Sequence, residues 1–312
     1  MATHRTVELL QRRLAVFAVA TGAAGLAWPA TGQALTGAVP WLLAGLMAAV
    51  SATFDVGTLR AALRRPGIVA LTTLLVYGPM SIVAFILATA VFGEGSAWLG
   101  LILVGVLPTD VSSPLLVWLG RGSVALATVA NAVNTALAPI VVPVLFIAYT
   151  GVSLGGSLTG LIGELLVVVL VPTVAGVTLR TWRPRQVQRA EPALSIVAAA
   201  AYLALLLAVV GANADTILSD PLQMGPVVAV ALVLNLSGYA IALAARRVVV
   251  RDDDRTALLF TVGTKEFSIA AVVVVSAGLA PDVALVAVAF AVVQMVTAPL
   301  VARFAVRRSR TT

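Results

Sequence analysis

The stretch Leu258-Leu-Phe-Thr-Val-Gly-Thr-Lys-Glu-Phe-Ser-Ile-Ala-Ala-Val-Val-Val-Val275 sets an ammonium group, Lys265, inside an otherwise mainly apolar run. The chain has 20 Lys and Arg residues, and every one except Lys265 lies in a tail or a short polar loop. Arg255 marks the nearer edge of the run. At ~1.5 Å per helical residue, Lys265 is then roughly 15 Å deep, near the middle of a hydrocarbon core of ~30 Å. A lysine stem does not reach the interface comfortably from that depth. A charge there costs several kcal/mol unless it is paired or hydrated, and such residues usually line a site or pathway. The sequence therefore predicts a partner for Lys265 inside the protein.

Outward from this run the whole chain has the same character. It is 61% hydrophobic and 11% charged, with a mean hydropathy of +1.07, which excludes an ordinary soluble domain and points to a multi-span helical membrane protein. Apolar segments of helical length run over approximately 14–29, 38–54, 67–92, 97–119, 123–149, 157–179, 193–213, 224–245, 256–279 and 282–304, ten candidate spans with short connections and no room for a separate soluble domain. The basic tail 1–14 precedes an apolar stretch without a small-residue cleavage site, so that stretch is expected to be the first span and not a removed signal. The absence of cysteine excludes disulfides, thiolate chemistry and Cys metal sites. The single histidine, His4, is in the tail, so no histidine relay crosses the membrane, and neither a metal nor a cofactor is expected.

A net charge of +7 and a pI near 10.9 would suggest nucleic acid for a soluble protein, but here the arginines have a topological explanation. They fall at the N-terminus (Arg5, Arg12, Arg13) and after every even-numbered span: Arg60, Arg64 and Arg65; Arg121; Arg180 to Arg189; Arg246 to Arg255; Arg303 to Arg310. The opposite connections carry only acids, Glu94, Asp215, Asp220 and Asp282. The positive-inside rule then puts both termini in the cytoplasm. No nucleic-acid partner is expected.

Two spans read as broken helices. Span 4 contains Gly105-Val-Leu-Pro-Thr-Asp-Val-Ser-Ser-Pro114, and span 9 contains Thr261-Val-Gly-Thr-Lys-Glu-Phe-Ser268. Interrupted helices at matching positions of two halves point to a transporter's binding site. The halves correspond elsewhere: Ala132-Val-Asn-Thr-Ala-Leu-Ala-Pro139 in span 5 matches Val292-Val-Gln-Met-Val-Thr-Ala-Pro299 in span 10, aligning Asn134 with Gln294. Five spans per half is an odd number, so residues 1–150 and 151–312 are expected to form an inverted repeat of spans 1–5 and 6–10.

The candidate binding residues cluster around those breaks. Asp110 lies eleven residues before Arg121 and Lys265 ten after Arg255, which gives them similar depth. If the broken helices cross at mid-membrane, the two charges can pair, either as a transport site or as a permanent salt bridge that locks the helices. Glu266 points about 100° away from Lys265 around a helix, making it a weaker partner that faces water instead. Thr109, Ser112, Ser113, Thr261 and Thr264 complete the two breaks. Asn131, Asn134 and Thr135 lie at i, i+3 and i+4 on one face of span 5, suited either to helix packing or to a polar ligand, and Gln294 is read the same way. Glu164 is expected in an interfacial or packing role, Asp55 at the cytoplasmic face, and Asn235 and Ser237 in packing beside Gly238.

At these positions the chain resembles the bile acid:sodium symporter family and its wider relatives. The resemblance rests on Phe54-Asp55 followed by Leu63-Arg-Arg-Pro66, the span 4 break ending in Trp118-Leu-Gly-Arg-Gly122, Val133-Asn-Thr-Ala-Leu-Ala-Pro139, and Gly263 before a polar break. It implies ten transmembrane helices in two inverted five-helix repeats, a core domain built on crossed helices 4 and 9, and a panel domain that moves against it. It also implies an organic anion as substrate. The family's sodium sites use an acidic residue opening the span 9 break, a Gln-Asn pair after its glycine and a Ser-Asn pair in span 4. Here Thr261, Lys265-Glu266 and Ser113-Pro114 stand at those places. A fixed ammonium would thus stand about where the family binds sodium. Arsenite-exporting relatives use a cysteine in the span 4 break, and none is present. An Asp on helix 4 with a Lys on helix 9 also resembles, in arrangement only, the ion-binding pair of electrogenic sodium/proton antiporters.

Together these features predict a secondary transporter in a cell membrane, with a bacterial inner membrane expected from the resemblance. It would move a small organic anion by alternating access, sodium-independent and either proton-coupled or uncoupled, with Lys265 holding the substrate carboxylate or replacing the coupling cation. Cation/proton antiport at Asp110 and Lys265, or sodium-coupled anion symport, are the alternatives. An intramembrane enzyme has little support: there is no His-Glu-x-x-His, no buried histidine and no nucleophile with a base.

Overall fold

The computed structural model describes residues 16–54, 57, 65–152, 158–219 and 224–308. The expected cytoplasmic-face residues Asp55, Arg60 and Arg64, the tail with His4, and Asp220 lie outside these residues. All regular structure among the described residues is helical. In chain order the helices are α1 (Val16–Ala27), α2 (Pro29–Leu35), α3 (Val39–Ser51), α4 (Pro66–Tyr77), α5 (Pro79–Val91), α6 (Ser96–Val106), α7 (Ser113–Leu119), α8 (Val124–Thr150), α9 (Leu158–Leu165), α10 (Val171–Trp182), α11 (Pro184–Ala212), α12 (Ala214–Ser219), α13 (Met224–Ala245), α14 (Asp252–Gly263), α15 (Phe267–Ser276) and α16 (Val283–Arg308).

Counting α2–α3, α4–α5, α9–α10 and α14–α15 as single rods, eight helices among the described residues are long and apolar enough to cross a membrane. The other two expected spans correspond to α1, a shorter apolar helix, and to span 4, which is divided into α6 and α7. Proline marks many of the helix starts: Pro29, Pro66, Pro79, Pro114 and Pro184 all occupy a first-turn position, where the missing N–H has no helical partner to lose.

The two breaks have different local causes. Pro108 disfavours helical geometry at Leu107, whose ψ of 152° is extended, and Pro114 then favours a fresh helix start. In the second break Thr264 is extended (φ −116°, ψ 145°), and the Glu266 side chain caps α15 by accepting from Ser268 N at 3.3 Å. The broken segments lie side by side: Glu266 N donates to Pro108 O at 3.0 Å and Asp110 N to Thr264 O at 3.4 Å. Each break satisfies backbone groups the other leaves open, as a water-poor interior requires.

The helices form two groups. In the first, α11 packs along α2 and α3, and α10 packs on α3. In the second, α6 packs between α5 and α16, while α14 packs against α13 and α8. The rod α14–α15 is the centre of the second group: 89% of its apolar stretch is buried, against 33–56% for the other seven long rods, whose outer faces are free for lipid. A Cβ at Gly263 would overlap the Tyr239 ring, so the close approach of α13 to the second break depends on that glycine. Between the two groups lies a cavity of about 530 Å³.

Candidate functional site

The crossing of α6–α7 with α14–α15 brings Asp110, Lys265 and Glu266 into one buried region, all at most 6% exposed. The three charges do not neutralise one another by direct pairing. Lys265 Nζ donates to the backbone carbonyls of Val76 (2.9 Å), Gly105 (2.9 Å) and Leu107 (2.8 Å), which uses all three ammonium protons. Gly105 and Leu107 are at the C-terminal end of α6 and Val76 is at the end of α4, where helix dipoles present their negative poles. The expected Asp110–Lys265 pair is therefore corrected: no such ion pair occurs among the described residues. Helix ends with unused carbonyls provide the partner that the lysine needs.

The carboxylates occupy the opposite poles. Asp110 Oδ1 accepts from Ser112 N at 2.8 Å, just before α7, and Oδ2 accepts from Gln294 Nε2 at 2.7 Å. Gln294 also accepts from Lys265 N at 2.9 Å and donates to Lys265 O at 3.1 Å, so one amide ties α16 to both breaks. Glu266 accepts from Val111 N at 3.0 Å through one oxygen and from the Ser268 hydroxyl and N–H through the other. It is 1% exposed, which corrects the expectation that it faces water. The reason is local: it is in the break, not on a continuous helix, and its side chain turns back to cap α15.

The polar face expected on span 5 braces the same crossing. Asn131 Nδ2 donates to Asp110 O at 2.8 Å, and its Oδ1 accepts from Thr135 at 3.0 Å. Asn134 Nδ2 donates to Thr109 Oγ1 at 3.0 Å, and Thr109 in turn donates to Thr261 O at 2.7 Å. Thr261 and Thr264 direct their hydroxyls to carbonyls of their own helix, Ala257 O (3.0 Å) and Phe260 O (2.8 Å). Ser113 Oγ is buried with no partner among the described residues. Asn235, expected as a packing residue, donates to Gly263 O at 2.8 Å and so caps the end of α14.

Of the twelve expected site residues, Asp110, Ser112 and Gln294 line the cavity, and the other nine are not part of its lining. The wall also includes Leu46, Thr53 and Phe54 from α3 and its end, Thr128 from α8, and Ser195 and Tyr202 from α11. Among the described residues, Asp110 is the only ionisable acid or base on this lining apart from the Tyr202 phenol. Tyr202 was not singled out by sequence, although a tyrosine deep in an apolar span, away from the interfacial belts where tyrosines concentrate, was an available signal. The carbonyl cage of Lys265 had no signal at all, because backbone oxygens belong to every residue type.

At the arginine-bearing ends of the helices, Arg65 holds Asp254 in a two-point ion pair, with Nη1 to Oδ1 at 3.0 Å, joining the start of α4 to α14. Hydrogen bonding to Asp254 raises the Arg65 pKa above its ordinary value, so the guanidinium remains charged.

A protein-family model described as "Sodium Bile acid symporter family" matches residues 40–220. The chain is 28% identical over 204 residues to "Uncharacterized sodium-dependent transporter YocS" of Bacillus subtilis, covering 65% of this chain and 64% of that protein. It is 30% identical over 202 residues to "Probable sodium/metabolite cotransporter BASS1, chloroplastic" of Arabidopsis thaliana, covering 64% and 50% respectively. A third similarity, 26% over 242 residues, is to "Uncharacterized protein YbaS" of Bacillus subtilis, covering 77% and 79%. The matched stretch thus spans under two thirds of the first of these relatives and half of the second.

Proposed function

The chain belongs to the sodium bile acid symporter family, and from that premise we propose that it is a secondary transporter moving a small organic anion by alternating access, with Lys265 as a built-in cation and Asp110 as the proton carrier. The observation that carries this reading is the division of charge at the crossing. The ammonium is locked in three carbonyls behind the wall, and the carboxylate of Asp110 is on the wall. An ammonium in a carbonyl cage makes the contacts a bound metal cation would make, which supports sodium-independent operation. It also weighs against cation/proton antiport at an Asp110–Lys265 pair, and against Lys265 as a direct ligand of the substrate carboxylate.

An anion entering this cavity meets a carboxylate, and two like charges in a low-dielectric site repel strongly. Anion entry therefore requires Asp110 to take up a proton, so that anion and proton cross together. The remaining acceptor bonds of Asp110, from Ser112 N and Gln294, keep its side chain in place in both states.

Ten spans in two inverted repeats, with α2–α3 and α9–α11 as a panel against a core of α4–α8 and α13–α16, fit this mechanism. The repeat is supported by a polar bridge within each of two corresponding pairs of spans. Thr73 donates to Asn134 Oδ1 at 2.8 Å between spans 3 and 5, and Thr297 donates to Asn235 Oδ1 at 2.7 Å between spans 8 and 10. Tyr77 and Tyr239 each follow four residues after Thr73 and Asn235. The cavity is lined from the helix halves nearest the arginine-bearing ends, so with both termini in the cytoplasm it opens inward. A bacterial inner membrane is the expected location.

Sodium-coupled anion symport is the second reading, favoured by the buried hydroxyl of Ser113, which has no partner among the described residues, and by relatives whose names include sodium. The deciding experiment is current from proteoliposomes on a solid support, challenged with organic anions while potassium replaces sodium at two pH values. Current without sodium that grows as pH falls supports the proposal. Strict dependence on sodium overturns it.

A further inference from the structure

Tyr202 is 7% exposed, lines the cavity from α11, and its hydroxyl is buried with no partner among the described residues. Its ring meets Phe267 edge to face, with centroids 4.8 Å apart and planes at 84°. Phe267 is the first residue of α15, next to Glu266. The ring is thus held against the crossing, while its polar end is left unsatisfied. A buried hydroxyl without a partner destabilises the protein that carries it, and is a feature that calls for a bound group.

Two side-chain donors on the opposite wall are already committed. Gln294 Nε2 serves Asp110 and Lys265 O, and the Thr128 hydroxyl serves Val124 O at 2.9 Å. We propose that Tyr202 is a substrate-binding residue of the panel: its hydroxyl donates to the carboxylate of the transported anion, which lies between Tyr202 on α11 and Asp110 on the crossing. The inference rests on the anion-transport reading above and names the panel-side half of that site. A substrate held in this way bridges the two helix groups that move against each other, so occupancy favours their closing around it.

The test uses the full-length protein in lipid nanodiscs and isothermal titration with straight-chain monocarboxylates from butanoate to decanoate and with 3-phenylpropanoate, under mildly acidic conditions. Tyr202→Phe keeps the ring contact and removes only the hydroxyl. The expected result is binding weakened roughly tenfold or more, the range for a hydrogen bond to a charged group, with the melting temperature of the empty protein unchanged or raised. A purely structural hydroxyl would give the opposite pattern, lower stability with unchanged affinity. Tyr202→Ala should lose affinity and also stability, because the contact with Phe267 goes as well. If wild type binds a member of the series and Tyr202→Phe binds it equally well, this inference falls and the transport reading stands. If wild type binds none of the series, both fall.

Discussion

Removing the ammonium of Lys265 without filling its place is the sharpest perturbation of the crossing. Lys265→Ala deletes three bonds to the carbonyls of Val76, Gly105 and Leu107. Bonds to a charged group contribute about 1.5–3 kcal/mol each, a gross loss of roughly 4.5–9 kcal/mol for the three. Against this, the variant no longer buries a charge, which relieves several kcal/mol. The expected net destabilisation is about 2–4 kcal/mol, together with a carbonyl-lined hole at the negative ends of α4 and α6. Such a hole suits a small hard cation. Thermal unfolding of the detergent-solubilised protein should therefore show wild type indifferent to replacing choline by sodium, and Lys265→Ala melting several degrees lower in choline but recovering in sodium. Lys265→Met fills the space without the charge and should be destabilised with no sodium recovery. A Lys265→Ala variant as stable as wild type, or one whose sodium response equals that of Lys265→Met, would refute the account of the ammonium as a built-in cation.

Other consequences can be checked separately. Asp110→Asn retains an acceptor for Ser112 N and cannot exchange a proton, so anion currents in proteoliposomes should lose their pH dependence; a preserved dependence removes Asp110 from the proton path. Gly263→Ala drives a methyl group into the Tyr239 ring and should cost about 1–3 kcal/mol by overpacking, measured as a lower denaturation midpoint and partly relieved by Tyr239→Leu. Asn235→Leu leaves Gly263 O without its side-chain donor and the Thr297 hydroxyl with only its bond to Val293 O, and should destabilise by about 1–3 kcal/mol in the same assay. Arg65→Ala leaves the Asp254 carboxylate, which is 1% exposed, with only Arg251 Nε at 4.0 Å, and should lower stability more than Arg251→Ala, whose side chain is 61% exposed.

Much of the architecture was legible in residue order. Hydrophobic runs located the long helices, because a segment surrounded by lipid must be apolar over its length and satisfy its own backbone. Pro108 and Pro114 marked the first break through steric exclusion, a property of one residue and its neighbour. The second break has no proline and was legible only through its polar cluster around Gly263. Likewise, the identity of the buried charges was plain: Asp110 and Lys265 interrupt apolar runs, and nothing about their neighbours disguises that.

What sequence could not give was the pairing among them. Opposite charges at equal depth suggest an ion pair, but direction decides, and the ammonium turns toward helix C-termini while each carboxylate turns toward an N-terminus. Those partners are backbone groups, invisible in a string of side chains, and they exist only because two breaks lie against each other. The same holds for the cavity: Tyr202, Asp110 and Gln294 come from three distant parts of the chain. The sequence by itself determined that this protein is a bundle of apolar helices with charged, interrupted crossings, since burial in lipid acts on each segment alone. Only the tertiary structure decided which groups satisfy those charges and which one lies on the cavity wall, since hydrogen bonds depend on positions that packing alone brings together.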